Sequence, residues 1–157
     1  MSNQLALRTI EATRPGVVIL TQRDSFEDTD WEAIASRALE LGAARVVLVG
    51  PAPRWSPALP ELIENSHWGE DFSRLASGFD QSTAAESRRL QERFASSKLL
   101  TYIPLYDGVC DATGCLAIVP GGAPWALMSF DDGHLTSEAS DYVAREILAP
   151  ILRADRR

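Results

Sequence analysis

The sequence predicts an α/β fold with a mostly parallel β-sheet, and two observations lead to this prediction. Val17–Leu20 is an uninterrupted apolar run, and Arg45–Val49 carries a second run after its arginine. Runs of this kind are typical of parallel strands that are buried on both faces. Between them, apolar residues recur at helical spacing from Trp31 to Leu41. A strand, a helix and a strand in this order form a right-handed parallel unit.

Local patterns set the limits of the elements in the first part of the chain. A short helix over Gln4–Ala12 is expected to end at Pro15-Gly16, because proline and glycine interrupt helices. Thr29 and Glu32 have the spacing of a capping box, so the second helix begins beside them. Gly42 is predicted to end that helix, since glycine readily adopts the left-handed conformation found at helix C-termini.

The rest of the chain is predicted to continue this alternation after an irregular region between residues 55 and 78. The expected elements are a short helix over Leu59–Asn65, a charged helix over Ser82–Ser97, strands over Leu99–Ile103 and Trp125–Met128, and a last helix over Glu138–Leu152. Leu90 and Phe94 should face the core from the charged helix. His67, in the irregular region, is interpreted as a packed or surface residue and not as a ligand.

Sites in parallel sheets lie beyond the carboxyl ends of the strands. If the strands that end near residues 20, 49 and 128 are all parallel, the loops after them share one edge of the sheet. These loops contain Thr21–Ser25, Gly50–Trp55 and Asp131–His134. That edge is therefore predicted to carry the functional site.

Composition excludes several classes of function. With 157 residues, of which 45% are apolar, the chain is expected to form one domain over residues 1–157. The formal net charge of −7 argues against nucleic acid as a partner, because no basic run is present to neutralise phosphates. No apolar run approaches the roughly 20 residues that span a bilayer. No apolar segment typical of an export signal follows Met1.

Neither a metal nor a cofactor is expected. A structural zinc site needs about four ligands, and the sequence contains two histidines. No glycine-rich phosphate loop follows any predicted strand, which leaves little support for a flavodoxin-like binding or regulatory domain.

Asp131 and His134 form the clearest chemical pattern, on the loop that precedes the last helix. A carboxylate three residues before an imidazole can bend back to the Nδ1–H group, which fixes the tautomer while Nε2 faces a nucleophile. Thr136 or Ser137 can cap the helix that follows. The pattern indicates the acid and the base of a hydrolytic Ser-His-Asp triad.

Asp131-Asp132-Gly133-His134-Leu135-Thr136 resembles the final motif of the SGNH hydrolase superfamily. More narrowly, it is similar to the SGNH domain that follows the membrane part of bacterial acyltransferases that O-acylate sugars. Thr13–Leu20 resembles the third strand of such domains, and Val46–Pro53 resembles the next. The resemblance implies a three-layer α/β/α, flavodoxin-like fold in which Asp131 and His134 are the triad acid and base. It also implies that the first strands and a Gly-Asp-Ser nucleophile motif precede Met1, so that the domain is truncated at its N-terminus.

Cys110 and Cys115 enclose a turn-prone tetrapeptide that can bring their flanking segments together. The residues alone leave two possibilities, a disulfide or two reduced thiols, and a chain without an export signal favours the thiols. The resemblance favours the disulfide, because related domains commonly carry a cysteine pair shortly before the Asp-x-x-His motif. It also implies a periplasmic or extracellular location as part of a membrane-anchored protein.

The sequence contains no Gly-Asp-Ser, so the resemblance leaves the nucleophile open. Arg23-Asp24-Ser25 follows an apolar strand and is a degenerate form of that motif, which makes Ser25 a candidate nucleophile. Against this, the Cβ of arginine resists the tight turn that glycine allows, and an ordinary loop serine is the alternative. Arg23 has a second possible role, since many acyltransferase-linked domains carry an arginine in this loop. A guanidinium there can stabilise a tetrahedral oxyanion.

The function implied by the resemblance is that of an acyltransferase or esterase acting on cell-surface carbohydrate by Ser-His-Asp chemistry. Its partners would be an acyl donor, a carbohydrate acceptor and a membrane acyltransferase domain of a larger chain. An exposed sheet edge also predicts a homodimer. The alternative is a catalytically inactive SGNH-like domain with a binding or structural role, which the missing Gly-Asp-Ser favours.

Overall fold

The computed structural model describes residues 2–66 and 72–154. The chain divides into two compact units. The first contains the residues up to Pro51 together with Glu86–Pro104, and the second contains Ala52–Ala85 and the residues from Leu105 onward. His67 lies outside the described residues, so its interpretation stays a prediction. The expectation that residues 1–157 form one domain also stays a prediction.

The described elements alternate between helices and strands for most of the chain. The strands are β1 (Val18–Leu20), β2 (Val46–Val49), β3 (Arg74–Leu75), β4 (Thr101–Ile103), β5 (Cys110–Asp111) and β6 (Gly114–Leu116). The α-helices are α1 (Ser2–Thr13), α2 (Trp31–Glu40), α3 (Leu59–Ser66), α4 (Gln81–Phe94), α5 (Leu105–Val109), α6 (Ser137–Tyr142) and α7 (Ala149–Ala154). A 3₁₀ turn covers Phe26–Asp28, and a π-helical segment covers Val143–Leu148. Among the described residues, no helix is both long and apolar enough to cross a membrane.

The first unit holds a three-stranded parallel sheet in the order β1-β2-β4. This confirms the predicted α/β class with a parallel sheet. All four residues of β2 are buried, as expected for a strand with a neighbour on each side. The expectation that Val17–Leu20 is buried on both faces is wrong, because β1 is at an edge of the described sheet and Ile19 is 46% exposed.

The core of the first unit forms around the central strand. It contains Phe26, Trp31, Leu48, Leu90 and Phe94, all of them buried. Leu90 and Phe94 therefore face inward from α4 as predicted. The loop residue Phe26 was not predicted to be in the core. Its carbonyl oxygen accepts a hydrogen bond from Trp31 Nε1 at 2.7 Å, so the 3₁₀ turn and the start of α2 are fixed to each other.

Helix α2 begins at a different cap from the one predicted. Asp30 is the N-cap, and its carboxylate accepts a hydrogen bond from the Ala33 N–H at 3.0 Å. The Thr29 hydroxyl makes its hydrogen bonds with Gln22 and with the carbonyl oxygen of Ser25 instead. The other end is as predicted, since Gly42 has a φ of 102° and follows the last turn of the helix.

The second unit contains a small antiparallel sheet in the order β3-β6-β5 and a disulfide between Cys110 and Cys115. The disulfide joins two residues that face each other across the β5–β6 hairpin. Asp111 closes the hairpin turn, because its Oδ1 accepts hydrogen bonds from both the N–H and the hydroxyl of Thr113. Of the two possibilities left open by the residues, the disulfide is confirmed.

The predicted strand over Trp125–Met128 is wrong. Within the described part of the chain it belongs to neither sheet. It pairs with Ala117–Val119 at one antiparallel bridge, where the Val119 N–H donates to the Ala126 carbonyl oxygen and the Met128 N–H donates to the Ala117 carbonyl oxygen, both at 2.8 Å. The Leu127 N–H is used in a tight turn, where it donates to the Trp125 carbonyl oxygen two residues earlier. The third parallel strand is instead β4, so the loop that contains Asp131 and His134 does not follow a strand of the parallel sheet as predicted.

The last helix is less regular than predicted. Thr136 is confirmed as its cap, since its hydroxyl oxygen accepts a hydrogen bond from the Ala139 N–H at 3.1 Å. The expected single helix over Glu138–Leu152 is divided into α6, the π-helical segment and α7. Pro150 lies in the last part, where it cannot donate the backbone hydrogen bond of a continuous α-helix.

Reduction of the disulfide should lower the stability of the protein. Closing a loop between residues five apart in sequence restricts the unfolded chain, and for so short a loop the expected contribution is about 2 kcal/mol. Urea unfolding with and without a reductant measures it, and the oxidised protein should unfold at the higher urea concentration. A Cys110→Ala/Cys115→Ala variant is the control and should not respond to the reductant. Equal midpoints for the oxidised and reduced wild-type protein would contradict the expectation.

Candidate active site

The candidate site is a short closed loop in the second unit, between Ser129 and Leu135. These two residues form an antiparallel bridge, and the Phe130 N–H donates to the His134 carbonyl oxygen at 3.1 Å. The hydroxyl of Ser129, a buried residue, lies 2.7 Å from the His134 carbonyl oxygen and 3.1 Å from that of Asp131. The loop is therefore held closed by its own backbone and by one buried hydroxyl.

A second segment of the same unit anchors this loop from outside. The Trp55 N–H donates to the Asp132 carbonyl oxygen at 2.7 Å, and the Leu59 N–H donates to the Asp131 carbonyl oxygen at 3.2 Å. Both donors flank the start of α3, and Trp55 and Leu59 are buried. Because backbone groups pair with backbone groups here, the position of the loop is fixed independently of its exposed side chains.

The Asp131 carboxylate binds the His134 side chain and the loop backbone at the same time. Its Oδ2 lies 2.6 Å from Nδ1 of His134. Its Oδ1 accepts hydrogen bonds from the Gly133 N–H at 2.8 Å and from the His134 N–H at 2.7 Å. The structure therefore brings the two predicted residues together. With Nδ1 engaged, Nε2 is the ring nitrogen that can take a proton from another group.

These contacts lower the pKa of Asp131 well below its ordinary value. The Gly133 N–H makes the largest contribution, followed by the His134 N–H and then the His134 imidazole. Each of them favours the ionised carboxylate over the neutral acid. Asp131 is therefore a stable anion beside the imidazole, which is the charge state required to stabilise an imidazolium.

The imidazole has a second contact, with an aromatic ring. The rings of Phe130 and His134 are stacked, with centroids 5.6 Å apart and an interplanar angle of 12°. The His134 side chain is 52% exposed, so it is accessible although two neighbours restrict its orientation. Ring stacking and the carboxylate contact together limit the rotation of the imidazole.

A metal is a poor fit to this loop, although three of its residues could offer ligands. One ligand atom from each of Asp131, Asp132 and His134 lies within 4.8 Å of the others. Both oxygens of Asp131 already accept hydrogen bonds or contact the imidazole, and the nitrogen of His134 that faces this carboxylate is Nδ1. A cation bound through Nδ1 would have to displace the contact between Asp131 and His134.

Ser25 and Arg23 lie in the first unit, in the loop that follows β1. Ser25 is exposed and has a φ of 59°, the left-handed conformation that residues with a Cβ seldom adopt. It precedes the 3₁₀ turn, and its carbonyl oxygen accepts from the Asp28 N–H at 3.2 Å. Arg23 forms an ion pair with Asp24 at 3.8 Å. The catalytic and oxyanion roles given to these residues stay predictions.

Fold and site together define an α/β protein with a carboxylate–imidazole pair of the kind used in acyl transfer and ester hydrolysis. The model of one family, described as the SGNH domain fused to AT3 domains, matches residues 2–149, and the chain belongs to this family. A search of curated proteins found no significant match.

One solved structure supports the same fold. The periplasmic domain of the lipopolysaccharide acetyltransferase of Salmonella ser. Paratyphi A superposes with a TM-score of 0.81 at 23% sequence identity. The match covers 96% of this chain and 62% of the Salmonella chain. The chain thus spans less than two thirds of the length of that domain.

The sequence pattern identified Asp131, His134 and the Thr136 cap, but it gave no role to Ser129 or Phe130. Both lie just before the quoted motif, and both support the histidine. The Ser129 hydroxyl donates to the His134 carbonyl oxygen, and the Phe130 ring stacks on the imidazole. The anchoring by Trp55 and Leu59 uses backbone groups and has no sequence pattern that could reveal it.

We expect the neutral His134 ring to carry its proton on Nδ1, because Oδ2 of Asp131 accepts from that position. Long-range ¹H–¹⁵N NMR spectra distinguish the two neutral tautomers. In Asp131→Asn the amide NH₂ can donate to Nδ1, so the proton should move to Nε2. Asp132→Asn, in the same loop, is the matched control and should keep the wild-type tautomer. A wild-type ring protonated on Nε2 would contradict the assigned geometry.

The carboxyl group of Asp131 should titrate below the value of about 3.9 that is usual for aspartate. Because its pKa in the folded protein is lowered, its contacts stabilise the fold fully above the unfolded-state pKa and are lost as the pH falls through the folded-state pKa. The ¹³C chemical shift of the carboxyl carbon, followed into acid, measures the midpoint. An unstructured peptide with the sequence of residues 129–136 is the reference. A midpoint equal to that of the peptide would show that the backbone contacts are absent.

Proposed function

We propose that this chain supplies the acid and the base of an acyltransferase or esterase that works by Ser-His-Asp chemistry. The observation that carries the proposal is the 2.6 Å contact between Oδ2 of Asp131 and Nδ1 of His134 on a loop fixed by backbone hydrogen bonds. His134 is the general base, and Asp131 orients it and stabilises its charged form. Membership of the SGNH family supports the same assignment.

The reaction has two steps, and His134 moves a proton in each. First, Nε2 takes the proton of a serine hydroxyl while the serine oxygen bonds to the acyl carbon of the donor. The bond to the donor's leaving group breaks, and the leaving group takes the proton from His134. A hydroxyl of the acceptor, or water, then attacks the serine ester and gives its proton to Nε2. The new ester or free acid leaves, and the proton returns to the serine.

Two sources of the serine are open. One is a Gly-Asp-Ser motif in a segment outside these 157 residues, as the resemblance to membrane acyltransferases implies. The other is Ser25, whose left-handed backbone supports a special role, because such strain is concentrated at functional sites. In the second case Arg23 is placed near the nucleophile in sequence and is the candidate for oxyanion stabilisation.

The substrate class and location are proposed from the relatives. Because the family's SGNH domains are fused to AT3 domains, the partner is a membrane acyltransferase domain of the same protein. By analogy with the Salmonella periplasmic domain, the acceptor is cell-surface carbohydrate and the chain works in the periplasm or outside the cell. A homodimer through the exposed edge strand β1 is a further part of the proposal, supported by the exposure of Ile19.

The alternative function is that of a catalytically inactive SGNH-like domain with a binding or structural role. The absence of Gly-Asp-Ser from the sequence favours it. A serine-directed fluorophosphonate probe, applied to the protein isolated from its native cells, separates the two. Labelling of a serine that depends on His134 supports the enzyme, and an unlabelled protein without turnover supports the inactive domain.

Three substitutions at the site should change the rate of acyl transfer or ester hydrolysis by very different factors. His134→Asn removes the general base, and Asp131→Asn stabilises the wrong tautomer, so each should lower kcat by roughly a thousandfold or more. Asp132→Asn changes a neighbouring carboxylate that has no role in the steps above, and its rate should stay within about twofold of wild type. The initial rate with an aryl acetate ester measures all three. A His134→Asn protein that keeps the wild-type rate would refute the proposed function.

A further inference from the structure

The second unit has an open apolar groove beside the candidate site. It consists of two adjoining hollows, of about 590 Å³ and about 290 Å³, which share the residues Pro60, Trp125 and Leu127. Ile63 and Phe72 also line the larger hollow, and Phe130 lines the smaller one. The larger hollow is within the size range of small-molecule sites in proteins, roughly 300 to 1,000 Å³.

Two aromatic side chains of this groove are unusually exposed. Trp125 is 79% exposed and Phe130 is 60% exposed. By contrast, Trp31 and Trp55 are both buried. Tryptophan and phenylalanine left in water forgo the free energy that their burial would provide. Clustered exposure of this kind marks a binding surface more often than scattered apolar residues do.

Polar groups in the groove favour a carbohydrate over a purely apolar ligand. The exposed carboxylate Glu64 lines the larger hollow, and the exposed carboxylate Glu138 lines the smaller one. A pyranose ring offers an apolar face of C–H groups to an aromatic ring and a rim of hydroxyl donors to carboxylates. An acyl chain would gain nothing from either carboxylate and would leave them partly desolvated.

The groove also reaches the proposed base. Phe130 lines the smaller hollow with one part of its surface, and its ring is stacked on the His134 imidazole. A ligand in this hollow is therefore in contact with a residue that touches the base. Since the second step of the proposed reaction removes a proton from an acceptor hydroxyl at Nε2, the acceptor has to bind next to His134.

We propose that Trp125 and Phe130, with Glu64 and Glu138, form the binding site for the carbohydrate acceptor. Trp125 is the platform on which a sugar ring stacks, and Phe130 positions the next part of the ligand toward His134. The proposal rests on the proposed function for the identity of the acceptor. The binding it describes does not require turnover, and it can be measured without it.

Saturation-transfer difference NMR on the native protein tests this proposal, with two saccharide probes and one apolar probe. The saccharides are maltohexaose and polysaccharide chains released from lipopolysaccharide, and the apolar probe is decanoate. At least one saccharide should bind, and Trp125→Ala should weaken its binding about tenfold. Glu64→Gln should weaken it less. Leu5→Ala, which changes another exposed apolar residue, is the control and should bind as wild type.

The outcomes separate this proposal from the proposed function. His134→Asn should keep full saccharide binding while it loses turnover. If turnover does not depend on His134 but saccharide binding depends on Trp125, the function fails and the binding site stands. If neither saccharide binds, or if Trp125→Ala binds as wild type, the binding site is refuted. Binding of decanoate alone would assign the groove to an acyl chain and would also refute it.

Discussion

The Asp131 carboxylate is the group on which the site depends, because one of its oxygens binds the backbone of the loop and the other holds the imidazole. Oδ1 accepts two backbone N–H groups, and Oδ2 contacts Nδ1 of His134. The same contacts keep the carboxylate ionised, as the lowered pKa shows. A single residue therefore links the backbone of the loop to the proposed base and sets the orientation of that base. Loss of this carboxylate would release the imidazole, although the backbone bonds of Trp55 and Leu59 would still hold the loop.

Much of the fold could be predicted because its sheet leaves clear patterns. β2 is buried along its whole length, and its continuous apolar run gave the correct strand and the correct parallel class. The same pattern misled at β1, since an apolar run does not tell a central strand from an edge strand. Trp125–Met128 looked like a strand for a similar reason, but it makes a single antiparallel bridge outside both sheets, beside a tight turn from Trp125 to Leu127. The local sequence identifies apolar segments, but it does not identify which strands pair with them in the folded protein.

The part of the candidate site that could be predicted consists of functional residues that are close together in the sequence. Asp131 and His134 are three residues apart, so their contact could be inferred from spacing, and resemblance to a known family added the role. The supports of the loop come from backbone groups near residues 55 and 59 and from the buried hydroxyl of Ser129. Almost every residue has a backbone N–H, so the sequence does not show which of them bind the loop. A serine before a loop is also common. These contacts needed the structure, as did the exposure of Trp125.

The central claim is that His134, held by Asp131, activates a serine for acyl transfer. The most direct measurement is peptide mass mapping of the native protein after brief exposure to an activated acyl ester, for wild type and for His134→Asn. We expect an acyl group on one serine of the wild-type protein and almost none in the variant. The position of the label would identify the nucleophile. Equal acylation of both proteins would contradict the claim that His134 is the base.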